Sequence, residues 1–229
     1  GTNADPALVV SMEPGKTVYL LNGVSTTGIH DAVHTIADSC DLDVVIAGRV
    51  SARLPEKLPP TSCDRVLDLV VRRTQLEYEI RGAGVVRIAR HGELAAERDA
   101  RAARTKRGII DDPLPAGRDV DLDFERAPLH DVLALLGQAG GVELALPAQL
   151  DATVTVRARH LPWQRALIEV LAASGLGYRT EDTGKRLRIA PLAELDAERA
   201  SRDRAKPGSS VLPARKAEVP DQRSEGSAE

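Results

Sequence analysis

Apolar residues recur along this chain with two different periods. After Gly28 they return at the i, i+3, i+4 and i+7 positions of a helix with one buried face. These positions are Ile29, Ala32, Val33, Ile36, Ala37 and Cys40. A second stripe follows Ser62, whose hydroxyl is expected to cap the first turn of another helix. Short runs rich in β-branched residues predict strands, and the last two form a hairpin across Gly82 and Gly84.

The same order of patterns returns about one hundred residues later. The segment GIHDAVHTIADSCDLDVVIAGRV begins at Gly28 and aligns without a gap with PLHDVLALLGQAGGVELALPAQL, which begins at Pro128. Further on, after a slip of one residue, Val86–Ala89 matches Leu187–Ala190. The chain is therefore predicted to contain two copies of one structural unit.

These patterns predict an α+β fold of two tandem small domains, each about βαββαββ with two helices packed on small mixed sheets. The expected division is a disordered segment 1–15, a first domain 16–98, a linker 99–117, a second domain 118–198 and a disordered tail 199–229. Pro55 and Pro59 fall where the third strand of the first unit should run. Because proline lacks the N–H that a ladder needs, we expect that strand to be an edge or to be broken.

The buried face of each predicted helix supplies the candidate core. Its members are Val33, Ile36, Leu67 and Val70 in the first unit and Leu133, Leu136, Trp163, Leu167 and Leu171 in the second. Aromatic residues make up only 2% of the chain. The cores must therefore consist mostly of Val, Leu, Ile and Ala, with Trp163 as the exception.

Composition and charge narrow the function classes. Apolar residues make up 42% of the chain, which supports packed cores, and the formal net charge is −3. A protein that binds nucleic acid normally carries a basic excess or stripe, so no nucleic-acid partner is expected. No apolar run approaches the roughly 18 residues of a membrane span, so this segment is not expected to insert directly into a membrane.

Cys40 and Cys63 are the only cysteines. Cys40 ends the first predicted helix, Cys63 starts the second, and the strands between them are predicted to form an antiparallel hairpin that brings its ends together. A disulfide is therefore geometrically reasonable, and two free, buried thiols are the alternative. The second unit has Gly140 and Trp163 at these positions, so a bridge would be specific to the first unit.

His30 and His34 lie one helical turn apart, as pairs of zinc ligands do. With Asp31 between them they resemble the H-E-x-x-H motif of metalloproteases. Aspartate is shorter than glutamate and places a general base poorly, and no third ligand accompanies the pair. We therefore expect two solvated histidines, and no catalytic, metal or cofactor site.

The segment Gly137–Gly140 has the G-x-x-G form found in RNA-binding KH domains. No Lys or Arg flanks it, and the first unit lacks it. Termination of a helix at Gly140 and Gly141 explains these glycines better.

Several motifs of the second unit have a counterpart in a known family. They are Asp121–Phe124, Ala127–Leu129, Val132–Leu136, Val154–Val156, Leu161–Leu167, Gly175–Tyr178 and Leu187–Pro191. Together they resemble the secretin/TonB short N-terminal domain, and the likeness is closest to the N-terminal region of type IV pilus and type II secretion secretins. The pair Pro162 and Trp163, followed by Ala166 and Leu167, is the most specific part. The first unit resembles the family mainly through its alignment to the second.

The resemblance implies a non-catalytic protein-docking module in the periplasm, associated with the outer membrane where it belongs to a secretin. The partners it implies are inner-membrane or periplasmic components of a secretion or pilus system, and further copies of the chain in a ring. Alternatives are a standalone periplasmic adaptor or the signalling domain of a TonB-dependent transducer, although single domains are usual in transducers. The histidine pair alone leaves open a small hydrolase or metal enzyme.

Overall fold

The computed structural model describes residues 9–13, 16–20, 28–54 and 61–205. Its strands are β1 (Val9–Glu13), β2 (Lys16–Leu20), β3 (Val44–Ala47), β4 (Thr61–Ser62), β5 (Leu76–Ile80), β6 (Val86–Arg90), β7 (Asp119–Pro128), β8 (Glu143–Ala145), β9 (Thr153–Pro162), β10 (Leu176–Glu181) and β11 (Arg186–Pro191). Its helices are α1 (Ile29–Cys40), α2 (Cys63–Thr74), α3 (Glu93–Lys106), α4 (Leu129–Gly140), α5 (Trp163–Ala173) and α6 (Leu192–Ala205). The helices and small mixed sheets confirm the α+β class.

The two units follow one order of elements. The first runs β2, α1, β3, β4, α2, β5, β6 and the second β7, α4, β8, β9, α5, β10, β11. Each then continues into a further helix, α3 or α6, and the first unit also has β1 ahead of β2. The hairpins β5–β6 and β10–β11 are antiparallel, as the turn residues between the strands indicate.

Strand pairing joins the two units into one larger sheet. The order of that sheet is β5-β6-β3-β9-β7, so it takes three strands from the first unit and two from the second. Strand β3 runs parallel to β6 and antiparallel to β9, with Val44 opposite Arg157 and Ala47 opposite Val154. The other strands form the three-stranded sheets β1-β2-β4 and β10-β11-β8.

The hairpin predicted between Cys40 and Cys63 is wrong. Strand β3 pairs with β6 and β9, whereas β4 pairs with β2. The apolar strand β3 is buried on both faces. Such a strand has no alternation of apolar and polar residues from which its partner strand could be predicted. Pro55 and Pro59 lie outside the described residues.

Three elements cross the limits drawn from the sequence. Strand β1 lies inside the segment 1–15 that we expected to be disordered. Helix α3 continues to Lys106 and α6 to Ala205, beyond the predicted ends at residues 98 and 198. Both helices are rich in Ala, Glu and Arg, which favour helix. Arg104 Nε on α3 lies 3.1 Å from Asp196 Oδ1 on α6, so the two helices also hold each other.

The helix ends follow the sequence signals with one exception. Helix α4 ends at Gly140, and Gly141 adopts φ 63°, a left-handed conformation that costs glycine little. Pro162 directly precedes the first residue of α5. Ser62 occupies the N-cap of α2, but its hydroxyl makes no hydrogen bond to the helix backbone. It bonds the side chain of Asp64 instead, which lowers the pKa of that carboxyl.

One apolar cluster runs through both units. The nine residues proposed for the core are all buried in it: Val33, Ile36, Leu67, Val70, Leu133, Leu136, Trp163, Leu167 and Leu171. Trp163 is 0% exposed. Its indole lies so close to two glycines that a Cβ added to Gly117 or Gly140 would approach within 2.1 or 2.5 Å of it. The absence of a side chain at both positions makes room for the ring.

Candidate functional site

A buried arginine fixes the second unit to the end of a helix in the first. Arg157 on β9 is 2% exposed. Its Nη1 donates to the Leu42 carbonyl at 2.9 Å and its Nη2 to Asp38 Oδ1 at 3.2 Å, both at the C-terminal end of α1. A cation is favoured there because the last carbonyls of a helix have no helical partner. Arg159 reaches the same Asp38 oxygen at 3.2 Å. These bonds join β9 to the end of α1 beside the β3–β9 pairing.

His30 belongs to this junction and is not solvated, so that prediction is wrong. It is 3% exposed, because β9 of the second unit covers it. Its Nε2 donates to the Val50 carbonyl at 2.8 Å, which leaves Nδ1 to accept from the Thr155 hydroxyl at 2.7 Å. Burial lowers the pKa of His30, although the hydrogen bond to Val50 opposes this. The histidine is therefore held neutral, with both ring nitrogens engaged.

We expect the burial of His30 to make folding depend on pH. Its pKa in the folded chain lies below the 6.5 of a free histidine, so below about pH 6.5 the unfolded chain binds the extra proton first. The free energy of unfolding should therefore fall as the pH drops from 6.5 toward the lowered pKa. Above pH 6.5 the contribution of neutral His30 should be fully retained. Urea titrations at pH 7.5 and 5.5 measure this.

Two variants isolate that effect. His30→Gln keeps a donor for Val50 without titrating, so it should lose part of the wild-type pH dependence. His91→Gln, at an exposed position, should keep all of it. Equal pH slopes for the wild type and His30→Gln would contradict the assignment.

His34 also contacts the second unit. Its Nε2 lies 2.5 Å from Asp123 Oδ1 on β7. With His30 occupied by Val50 and Thr155, the two histidines do not share a ligand position. Across the described ranges, no group of three or more His, Cys, Asp or Glu side chains is arranged to hold a metal ion.

Buried charges form a second link between the units. Arg81, in the β5–β6 connection, places Nη2 2.5 Å from Glu97 Oε2 on α3 and Nη1 3.2 Å from Glu169 Oε2 on α5. Arg87 on β6 approaches Glu97 Oε1 at 3.2 Å. Burial alone would lower the pKa of Arg81, but the hydrogen bonds and charges of Glu97 and Glu169 raise it above its ordinary value. Glu169 thus ties the second unit to a charge of the first.

The two cysteines form a disulfide in the first unit, with Cα atoms 5.7 Å apart. It joins the last residue of α1 to the first residue of α2. In the second unit the sequence alignment puts Gly140 and Trp163 at these positions, and there the indole packs against the glycine. Each unit therefore fastens its two helices at the same place, one by a covalent bond and one by an aromatic ring.

Removal of the disulfide should lower the free energy of unfolding by about 3 kcal/mol, since the bond restricts the unfolded chain across a separation of 23 residues. Urea titration of a double variant, Cys40→Ala with Cys63→Ala, measures the loss. Reductant should produce a similar loss in the wild type and none in the double variant. Two titratable thiols in the native, unreduced protein would contradict the bond.

An apolar pocket opens beside the charged link. Its volume is about 220 Å³ and its walls come from α3, α5, β10 and α6. Ile168, Leu171 and Leu176 supply apolar surface, and Arg101 and Arg104 also line the pocket. Burial raises the pKa of the neighbouring Tyr178 to about 12, and its hydroxyl donates to the Asp112 carbonyl at 2.8 Å. The pocket could accept a small apolar side chain.

The G-x-x-G segment does not form an exposed loop. Gly137 and Gly140 lie in α4 and are buried, Gly137 against Leu144 and Gly140 against Trp163. Helix packing accounts for both glycines. Among the helices that the structure describes, none combines the length and apolar character of a membrane span.

Sequence reasoning missed the buried charges. Val154 and Val156 lie on one face of the strand and Arg157 lies on the other, a pattern typical of a strand with one solvated face. In the structure the first unit covers that face. Arg81 and Glu169 lie far apart in the sequence and carry no signal of their contact.

Comparison with known proteins gives a partial relationship. No protein-family model matches the chain. Over 79 residues the chain is 29% identical to the type IV pilus biogenesis and competence protein PilQ of Neisseria meningitidis serogroup A / serotype 4A. The match to PilQ of a serogroup B strain has the same extent. The match covers 34% of this chain and only 10% of those relatives. A third of the chain is thus distantly similar to a type IV pilus protein.

Proposed function

We propose that this chain is a non-catalytic docking module of an outer-membrane secretin in a type IV pilus or related export system, and that it works in the periplasm. The observation that carries the proposal is the similarity to PilQ over 79 residues. The motifs around Pro162 and Trp163, which resemble the secretin/TonB short N-terminal domain, point the same way. Its partners would be inner-membrane or periplasmic components of that machinery.

The architecture suits a docking role. The shared sheet, Arg157 and the Arg81–Glu169 pair hold the two units together. Surfaces on both units are thereby kept in a fixed relation, so a partner that touches both does not have to order them first, and this lowers the entropic cost of binding. In a full-length secretin, copies of the module would lie side by side in a ring.

Capture of partners from bacterial envelopes tests the proposal. The complete 229-residue chain is immobilised and exposed to solubilised envelopes of a piliated strain and of an isogenic strain that lacks the pilus operon. Mass spectrometry should find an inner-membrane or periplasmic pilus component enriched only from the piliated strain. That component, once purified, should bind the chain saturably in calorimetry.

An unrelated periplasmic α+β protein of similar size serves as control bait. Equal recovery from both strains, with a bait that melts cooperatively, would count against the pilus assignment. A mass that grows with concentration in sedimentation, with no partner captured, would move the role to self-assembly.

A further inference from the structure

The repeat contains two equivalent strands with unequal neighbours. In the first unit β3 lies between β6 and β9. Its counterpart in the second unit, β8, pairs with β11 on one side, and within residues 61–205 and the other described ranges no strand pairs with its outer side. The first unit therefore shows how this edge is completed, namely by an antiparallel strand.

Backbone directions identify the open groups of β8. In the first unit the Gly48 N–H donates to the Thr153 carbonyl at 2.7 Å, so alternate residues from Val44 onward face β9. In the second unit the Glu143 N–H donates to the Lys185 carbonyl at 2.9 Å, toward β11. By alternation Leu144 directs its N–H and carbonyl groups outward, and Leu146, the first residue after β8, is the next residue in this series.

Burial marks the same difference. Val44–Ala47 of β3 are fully buried, whereas Glu143 is exposed and Leu144–Leu146 are only half-buried. Leu146 and Pro147 also line an open cavity of about 350 Å³, but its other walls come from β10, β11 and α6, so it lies toward the paired side of β8. The outer edge thus presents backbone groups without a strand partner among the described residues, together with the half-buried side chains of Leu144 and Leu146, as sites of strand addition do.

We propose that the outer edge of β8 is a docking site for an extended segment of a partner protein, which adds to the sheet as an antiparallel strand. This deepens the docking function proposed above and rests on it. The segment that fills the edge in the first unit defines the chemistry: Val154 and Val156 are buried, and Arg157 binds the Leu42 carbonyl. The partner segment would be of the form Val-x-Val-Arg.

The second unit offers a backbone acceptor for the basic residue, because Val142 takes the place of Leu42, whose carbonyl binds Arg157. Glu143 takes the place of Asp43, which in the first unit accepts from the Arg159 N–H at 2.8 Å. The Glu143 side chain is 70% exposed, and its nearest basic atom, Arg186 Nε, is 3.5 Å away. An arginine or lysine opposite Leu144 would lie beside this carboxylate and the end of α4.

The segment 154–157 of a second copy of this chain does not supply such a strand. Residues 154–157 are already paired on both sides, with β3 and with β7. The equivalent residues of the first unit, 54–57, read Leu-Pro-Glu-Lys. Pro55 has no N–H at the position where Thr155 faces Ile46 across the ladder. Neither of these two equivalent segments of a second copy fits the edge, so the occupant that we propose is a strand from a different protein.

A peptide copied from β9 probes the edge. A labelled peptide of residues 152–161, ATVTVRARHL, is titrated into the complete chain and followed by fluorescence anisotropy. Amide exchange measured by NMR should show new protection at Leu144 and Leu146, and none along β5 or β10. N-methylation of the peptide at Thr155, whose N–H faces the edge, should weaken binding about tenfold. N-methylation at Val156, whose N–H points away, is the matched control and should leave binding unchanged.

A gain-of-binding variant avoids any question of folding. Gln138 is exposed and stands where the first unit has Asp38, which binds Arg157. Gln138→Asp should therefore tighten peptide binding about threefold. Protection elsewhere, equal affinity of the two methylated peptides, or protection of Leu144 that appears with protein concentration alone would overturn the proposal. Binding of a pilus component that leaves Leu144 and Leu146 unprotected would overturn the edge but retain the docking function.

Discussion

Replacement of Trp163 by alanine is expected to lower the free energy of unfolding by about 3–5 kcal/mol. The indole is fully buried between α4 and α5 and touches Gly117 and Gly140. Removal of the ring leaves a cavity, and two glycines without side chains contribute nothing that could fill it. Urea titration of the complete chain measures the loss.

Two companion variants separate loss of volume from loss of polarity. The indole N–H of Trp163 has no hydrogen-bond partner among the described residues, so Trp163→Phe removes an unsatisfied donor along with part of the ring. Trp163→Phe should lower the free energy of unfolding by less than half as much as Trp163→Ala does. Ile168→Ala on the same helix, at a position 37% exposed, should change the free energy of unfolding by less than about 1 kcal/mol. A urea titration of Trp163→Ala that matches that of the wild type would contradict the buried position of the indole.

Replacement of Glu169 by methionine is expected to cost about 3 kcal/mol, near the lower end for removal of one partner of a buried ion pair. The side chains of Glu169 and Arg81 are 3% and 4% exposed, so Arg81 would keep a buried charge with fewer partners. Glu97 still neutralises part of that charge, which keeps the loss near the lower end. The measurement is again urea titration of the complete chain.

A double-mutant cycle tests the pairing itself. Arg81→Met together with Glu169→Met removes both charges and should cost less than the sum of the single changes. Arg165→Ala, which removes a half-exposed partner 3.6 Å from Glu169, should cost under about 0.5 kcal/mol. Strict additivity of Arg81→Met and Glu169→Met would mean that the pair does not link the units.

Much of the fold could be predicted because its signals are local. The apolar stripes that begin at Ile29 and Leu129 predict the first residue of α1 and of α4, because the periodicity of an amphipathic helix is visible within a few turns. The turn residues Gly82 and Gly84 indicate the β5–β6 hairpin. Because the two units align in sequence, an assignment made in one unit could be transferred to the other.

The contacts between the units could not be predicted because they depend on pairing between distant segments. A strand that is apolar throughout, such as β3, fits any neighbour with free backbone groups, and only the structure shows that β9 is that neighbour. The environment of His30 follows from this pairing, because Thr155 of β9 meets its ring. Arg157, which bonds to the end of α1, has the sequence pattern of a surface residue.

The sheet that runs through both units has a consequence for division of the chain. A cut in the peptide between α3 and β7 would leave two fragments, one with the outer edge of β3 unpaired and the other with that of β9. Each edge is complementary to the other, because one carries Arg157 and the other lies beside the end of α1, where the Leu42 carbonyl accepts from Arg157. The fragments would therefore be expected to aggregate when produced apart and to reassemble by complementation when produced together.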